Sequence, residues 1–178
     1  MNTLASENVV LVGFMGSGKS SVGRLLARAL HGRFVDTDRL VVERTGREIT
    51  DIFATEGEAF FRREESRALD SLLGQRSLVV ATGGGIVTVP KNVEALRRLG
   101  VVVWLTAEEE VIWTRVSRNR QRPLLHTENP RATVRNLLAA RNPHYQAAAD
   151  LRVDTSTITH AVVAGRICEL LKDWPGRG

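Results

Sequence analysis

Val9-Val10-Leu11-Val12-Gly13-Phe14-Met15-Gly16-Ser17-Gly18-Lys19-Ser20 decides the fold. Four apolar residues run into the pattern G-x-x-x-x-G-K-[S/T]. Beyond it Val22, Leu25, Leu26, Ala29 and Leu30 recur at helical spacing as far as Gly32. A strand, a glycine-rich turn and a helix in that order form a phosphate cradle. Glycines let main-chain N–H groups turn inward, the helix offers its positive end, Lys19 adds a point charge and Ser20 a hydroxyl suited to Mg²⁺. Gly16, Ser17, Gly18, Lys19, Ser20 and Ser21 are therefore the expected nucleotide-phosphate contacts.

The same alternation continues along the chain. A strand leads into Asp36-Thr37-Asp38, helical patterns cover roughly 39–46 and 57–74, and Thr50 reads as the N-cap of a short turn between them. Leu78-Val79-Val80-Ala81 is a third strand closed by Gly83-Gly84-Gly85, and Val101–Leu105 a fourth. Thr106 with Glu109 reads as a capping box, and Glu108-Glu109-Glu110 favours a helix start by charge–dipole attraction. A polar interval from Arg115 to Pro130, a helix to about Ala149, a short strand at Leu151–Val153 and a last helix near 160–172 complete the pattern. Short apolar strands alternating with helices predict an α/β fold whose parallel sheet is covered on both faces, with ligands at the carboxyl ends of the strands.

At 178 residues, 43% of them hydrophobic, the chain suits one core and one domain. No apolar stretch is long enough to span a membrane and no export signal precedes residue 9, so a soluble cytoplasmic protein is expected. Cys168, the single cysteine, fits a reducing compartment. The net charge of +5 comes almost wholly from arginine, with lysine only at 19, 91 and 172. Interspersed acids and 5% aromatics are unlike a nucleic-acid-binding surface.

Three features are read as falling after strands, at the edge where the phosphate loop sits: Asp36 and Asp38, Gly83-Gly84-Gly85 and the arginine-rich interval from Arg115 to Pro130, which together describe a phosphoryl-transfer site. Asp36 and Asp38, at strand spacing, would point to one side and divide metal and hydroxyl duties, or else form a solvated turn with a helix cap. Gly83-Gly84-Gly85 offers bare backbone to a ligand, or is a plain flexible turn. Arg62 and Arg63 are adjacent on a helix and cannot share a face, so at most one is a ligand; a surface salt bridge is the alternative for either.

Taken together, the phosphate loop, Phe34-Val35-Asp36-Thr37-Asp38, Gly57-Glu58-x-x-Phe61-Arg62-x-x-Glu65, Gly83-Gly84-Gly85, Arg122-Pro123-Leu124-Leu125 and Arg141-Asn142-Pro143-x-Tyr145 resemble the shikimate kinases from about Val9 to Val153. The resemblance implies a three-layer α/β/α fold related to nucleoside monophosphate kinases, with five parallel strands in the order 2-3-1-4-5. It implies one domain over 1–178, a substrate-binding region at 34–62 and a lid at 115–130. The reaction it implies is Mg²⁺-dependent transfer of the ATP γ-phosphoryl group to the 3-hydroxyl of shikimate by a monomer, with no nucleic acid or membrane partner.

Carried over by position, Asp38, Arg62, Gly83, Gly84 and Arg141 would hold shikimate, its carboxylate between the two arginines. Asp38 would accept the hydroxyl proton, Lys19 and Arg122 would flank the migrating group, and Arg115 would stack on adenine. Ser20 would ligate Mg²⁺ and Asp36 would orient it through water. One departure stands out: family members often place an Arg and a Pro beside adenine after the last strand, whereas this chain has Asp154-Thr155-Ser156-Thr157-Ile158-Thr159. Arg118 and Arg120 read as solvated charges. Gluconate and nucleoside monophosphate kinases share the loop but not two arginines with a triple glycine. A nucleotide-dependent binding module needs no proton acceptor.

Overall fold

The computed structural model describes residues 7–118 and 123–176. Valine and leucine in unbroken runs form β1 (Val9–Val12), β3 (Leu78–Ala81) and β4 (Val101–Thr106), buried at every residue. Strands buried on both faces belong in the middle of a parallel sheet. The edges are β2 (Arg33–Asp36) and β5 (Leu151–Asp154), where burial is partial. The order is β2-β3-β1-β4-β5, all parallel, with Val9 opposite Val79 on one side and Val101 on the other.

Alternate residues of each strand feed two cores. Val10, Val12, Val80, Val102 and Trp104 join one cluster, with α4 (Gly57–Asp70), α5 (Pro90–Leu99), α6 (Glu109–Val116) and α7 (Pro130–Ala148). Val9, Leu11, Val79, Val101 and Val103 join the other, under α1 (Lys19–Ala29) and α8 (His160–Lys172). A small third cluster of Val41, Ile52, Phe61 and Ala68 holds α2 (Thr37–Thr45) and α3 (Ile49–Thr55) against α4. Among the described residues no helix is long and apolar enough to cross a membrane.

Several local expectations are corrected. Helix α5 has no counterpart in the sequence reading, although Val93, Leu96 and Leu99 recur at helical spacing behind Pro90; Asn92 within it is buried, with Nδ2 donating to Ile86 O at 3.2 Å. Thr106 caps nothing. It is the last residue of β4, donating to Asp154 Oδ2 at 3.2 Å, and Glu108 is the N-cap of α6, without a side-chain bond. Thr50 lies inside α3, whose N-cap is Glu48, and α4 ends at Asp70. The interval from Arg115 to Pro130 is helical at both ends, since Arg115 is in the last turn of α6 and Pro130 opens α7, with a 3-10 turn at Pro123–Leu125.

Asn8 ties the amino ends of the strands together. Its Nδ2 donates to Gln75 O at 2.7 Å and Leu99 O at 2.9 Å, and its Oδ1 accepts from Leu78 N at 2.8 Å. Truncation strands three main-chain groups in a buried setting, each worth about 1 kcal/mol or more. Asn8→Ala should therefore lower stability by about 3 kcal/mol in urea titrations, with the kinetics of the remaining folded protein unaltered.

Candidate functional site

The phosphate loop joins β1 to α1. Gly16 and Gly18 sit at φ 80° and 92°, which side chains resist, and Gly18 is the N-cap of α1 with no side-chain cap. The first N–H groups of α1 thus stay available to an anion. Lys19 is buried along its length, and its Nζ donates to Gly13 O at 2.8 Å and Phe14 O at 2.9 Å. Gly16, Gly18, Lys19, Ser20, Ser21, Asp36 and Arg115 line a cavity of about 450 Å³. Ser17 does not. Its hydroxyl is buried without a partner, its N–H donates to Phe14 O at 3.1 Å, and its carbonyl accepts from Thr155 Oγ1.

Arg115 reaches the cavity from α6. Its guanidinium donates to Gly16 O at 3.2 Å and to Thr155 Oγ1 and O at 3.1 and 2.7 Å, so its edges are held and its face is left to a ligand. Arg118 is exposed. Arg120 and Arg122 lie outside the described residues.

A second cavity of about 170 Å³ adjoins the first, and Met15, Asp38 and Gly84 line both. Arg62, Gly83, Gly85, Leu124 and Arg141 complete its wall. A larger hollow of about 580 Å³ beside Arg39 and Glu43 shares Asp36 and Asp38 with this site, but no phosphate-loop residue lines it.

Asp36 and Asp38 do not sit side by side on a strand. The strand ends at Asp36, which caps α2: Oδ1 accepts from Asp38 N at 3.1 Å and Oδ2 accepts from Ser20 Oγ at 2.8 Å. The helical turn then carries Asp38 across to the seam between the cavities. The cap and the site are thus one arrangement rather than alternatives.

Behind this seam lies a cluster that sequence reasoning quoted but gave no role. Glu65, fully buried, pairs with Arg62 Nη1 at 2.8 Å, one helical turn away, while Glu58 holds Arg62 Nη2 at 2.8 Å. Arg63, on the other face of α4, is exposed. Gly83 leaves room for two carboxylates, since a Cβ there would run into Glu65 Oε1 and lie 2.6 Å from Asp38 Oδ1. A Cβ at Gly85 would collide with the Arg62 guanidinium, whereas one at Gly84 would meet its nearest atom, Met15 N, at 3.4 Å. Gly84 alone of the three would take a Cβ at ordinary contact distances, and it lines both cavities. Tyr145, fully buried in α7, donates its hydroxyl to Gly84 O and accepts from Arg141.

Burial raises the Asp38 carboxyl to about 7, reinforced by Glu65 and Asp36 and opposed by Lys19 and Arg62. Burial likewise raises Glu65, against the pull of Arg62 and Arg141. Burial works against the charge of Arg62, but Glu65 and Glu58 outweigh it and hold the guanidinium protonated. Oδ1 of Asp38 and Oε1 of Glu65 have no hydrogen-bond partner. Of the two, Asp38 lines both cavities, so its unpaired oxygen is the one placed to meet a hydroxyl donor on a ligand.

Because the folded Asp38 holds its proton to a higher pH than the unfolded chain does, its contribution favours folding at low pH. That contribution is lost as pH rises from about 4 to about 7. Asp38→Asn should therefore be more stable than the parent at pH 8, by on the order of 2 kcal/mol, with the gap closing toward pH 4. Thermal melts of both proteins across that range check this.

The whole arrangement has close counterparts. A family model described as shikimate kinase matches residues 15–172. Shikimate kinase from Symbiobacterium thermophilum is 47% identical over 173 residues, covering 96% of this chain and 99% of its own. That from Bordetella pertussis is 46% identical over 155 residues, 87% of this chain and 74% of its own. Among solved structures, shikimate kinase from Acinetobacter baumannii in complex with shikimate superposes with a TM-score of 0.92 at 40% identity, covering 97% of this chain and 95% of that one. The enzyme from Aquifex aeolicus gives 0.81 at 33%, over 93% and 96%. On sequence and fold alike, the chain belongs to the shikimate kinase family.

Proposed function

We propose that the two joined cavities are the ATP and shikimate sites of a kinase that moves the γ-phosphoryl group to the 3-hydroxyl of shikimate, releasing shikimate 3-phosphate and ADP. The observation that carries this reading is the place of Asp38, whose carboxylate lines both cavities with an oxygen free to accept. The 3-hydroxyl proton passes to Asp38, the hydroxyl oxygen bonds to the γ-phosphorus, and the bond to the ADP oxygen breaks. An acceptor raised to about 7 is suited to taking a proton at neutral pH.

Arg62 and Arg141 bind the substrate carboxylate, Gly83 and Gly84 admit the ring, and the loop N–H groups with Ser21 hold the phosphates. Lys19 offsets charge on the transferring group together with Arg122, the latter assigned from the family motif alone. Arg115 stacks on adenine. Ser20 Oγ and Asp36 are adjacent hard oxygen donors of the kind Mg²⁺ takes, Ser20 directly and Asp36 through water. Once bound there, the ion neutralises phosphate charge.

We read the chain as one domain over 1–178, with 34–62 as the substrate-binding region and 115–130 as a lid over both substrates. Leu124, at the acceptor cavity, supports the lid. Val162 as the exposed large hydrophobic among the described residues supports a monomer, and an unpaired Cys168 a reducing cytoplasm.

ADP release measured with shikimate, quinate, gluconate and nucleoside monophosphates in parallel tests the reading. Shikimate should be the preferred acceptor, and Lys19→Met should nearly abolish turnover in a folded protein. Removing Arg141 should raise KM for shikimate by about tenfold or more, as expected for a lost charge-assisted bond, and leave a carboxylate-free analogue unaffected. Arg62→Ala should do the same and in addition destabilise the fold by about 3 kcal/mol, because Glu65 loses its partner. Equal loss of the analogue in either mutant rejects the carboxylate pairing.

A further inference from the structure

We infer that Glu58 competes with the substrate carboxylate for Arg62, and thereby holds acceptor affinity below what the two arginines would otherwise give. The inference rests on the reading of Arg62 as a ligand of the shikimate carboxylate. Glu58 stands in the first turn of α4, and Arg62 follows one turn later. The Glu58 Oε1 accepts from Arg62 Nε at 3.2 Å and from Nη2 at 2.8 Å, while Glu65 Oε2 accepts from Nη1 at 2.8 Å. Carboxylates of this chain thus hold all three guanidinium nitrogens.

A guanidinium binds a carboxylate best through two parallel N–H bonds, and the Nε–Nη2 edge is one of those that can offer such a pair. Glu58 sits on that edge. A third carboxylate arriving at Arg62 shares nitrogens already held and meets two like charges. Glu65 cannot yield, because its side chain is 0% exposed and a buried carboxylate without its cation is strongly disfavoured. Glu58 can, because its side chain is 49% exposed and water takes over its solvation when it turns away. The substrate therefore gains Arg62 at the expense of the Glu58 contact.

The charge of Glu58 is also felt inside the cluster, where it raises the Glu65 carboxyl from across Arg62. Arg62 and Arg141 line the acceptor cavity, whereas Glu58 does not. It opposes the charge of the arginines without forming any of the wall. Neutralising Glu58 therefore changes the charge that meets the substrate and leaves the shape of the cavity intact.

Steady-state kinetics and calorimetric titration of the wild type, Glu58→Gln and Glu58→Ala test this, with shikimate and with an analogue lacking its carboxylate. Breaking an exposed ion pair changes an equilibrium by up to about fivefold, so KM and Kd for shikimate should fall by about 3-fold in both variants. KM for ATP should stay put, and the analogue should bind all three proteins alike. A merely structural role predicts the opposite sign, because an Arg62 no longer steadied by Glu58 would bind shikimate more weakly. Unaltered or raised KM for shikimate in Glu58→Gln overturns the inference. An equal gain for the analogue also overturns it, by tracing the effect to access rather than charge. The parent reading fails separately: if Arg62→Ala leaves KM for shikimate unaltered, Arg62 does not hold the carboxylate and Glu58 has nothing to compete for.

Discussion

A carboxylate with no exposed surface must be met by cations and given space, and Glu65 imposes both demands on this fold. Arg62 answers the charge from one turn earlier on α4, and Gly83 provides the space that any side chain would fill. Arg141, brought in by α7, adds a second cation and is steadied by Tyr145, whose other bond runs to Gly84. Two arginines are thereby oriented by the protein before any anion arrives, which reduces the ordering cost of binding one. The triple glycine is therefore not a flexible turn. Two of its residues have no room for a side chain, Gly83 because of two carboxylates and Gly85 because of a guanidinium, while Gly84 lines both cavities.

The nucleotide side is built on the same economy of backbone. Thr155, fully buried, links the phosphate loop and the end of β4 through one hydroxyl whose proton is shared between Ser17 O and Thr106 O. It also anchors Arg115, so the loop after β5 positions the wall of a cavity whose floor is the loop after β1. Parallel strands make this possible, because their carboxyl ends all emerge at one edge. Asp38 lies where the two halves meet, and burying it there costs stability while raising its carboxyl to about 7.

The phosphate loop and the strand pattern were legible in the sequence because each is a local signal, whereas roles for Asp38, Arg62 and Arg141 came through resemblance. Val9–Ser20 carries its own strand, turn and helix start, and the apolar runs at 78–81 and 101–105 show central strands directly. Helix α5 carries such a signal too, with Val93, Leu96 and Leu99 at helical spacing behind Pro90. Where a chain turn falls between two residues it misleads, as at Asp36 and Asp38, which share a site through a helix cap rather than through strand alternation.

Strand order illustrates the division further. Local patterning does not set which strands pair; the order β2-β3-β1-β4-β5 came into the reading only through resemblance, and the backbone pairing states it outright. The sequence by itself determined that a phosphate-binding loop, two aspartates and a triple glycine lie after strands. Only the tertiary structure decided which of them meet. Glu65 became an anchor because Gly83 from another strand closes over it, and Ser17 left the cavity because its main chain is used inside the loop. Those outcomes depend on contacts between residues far apart in the chain, whose burial and charge environment no local pattern encodes.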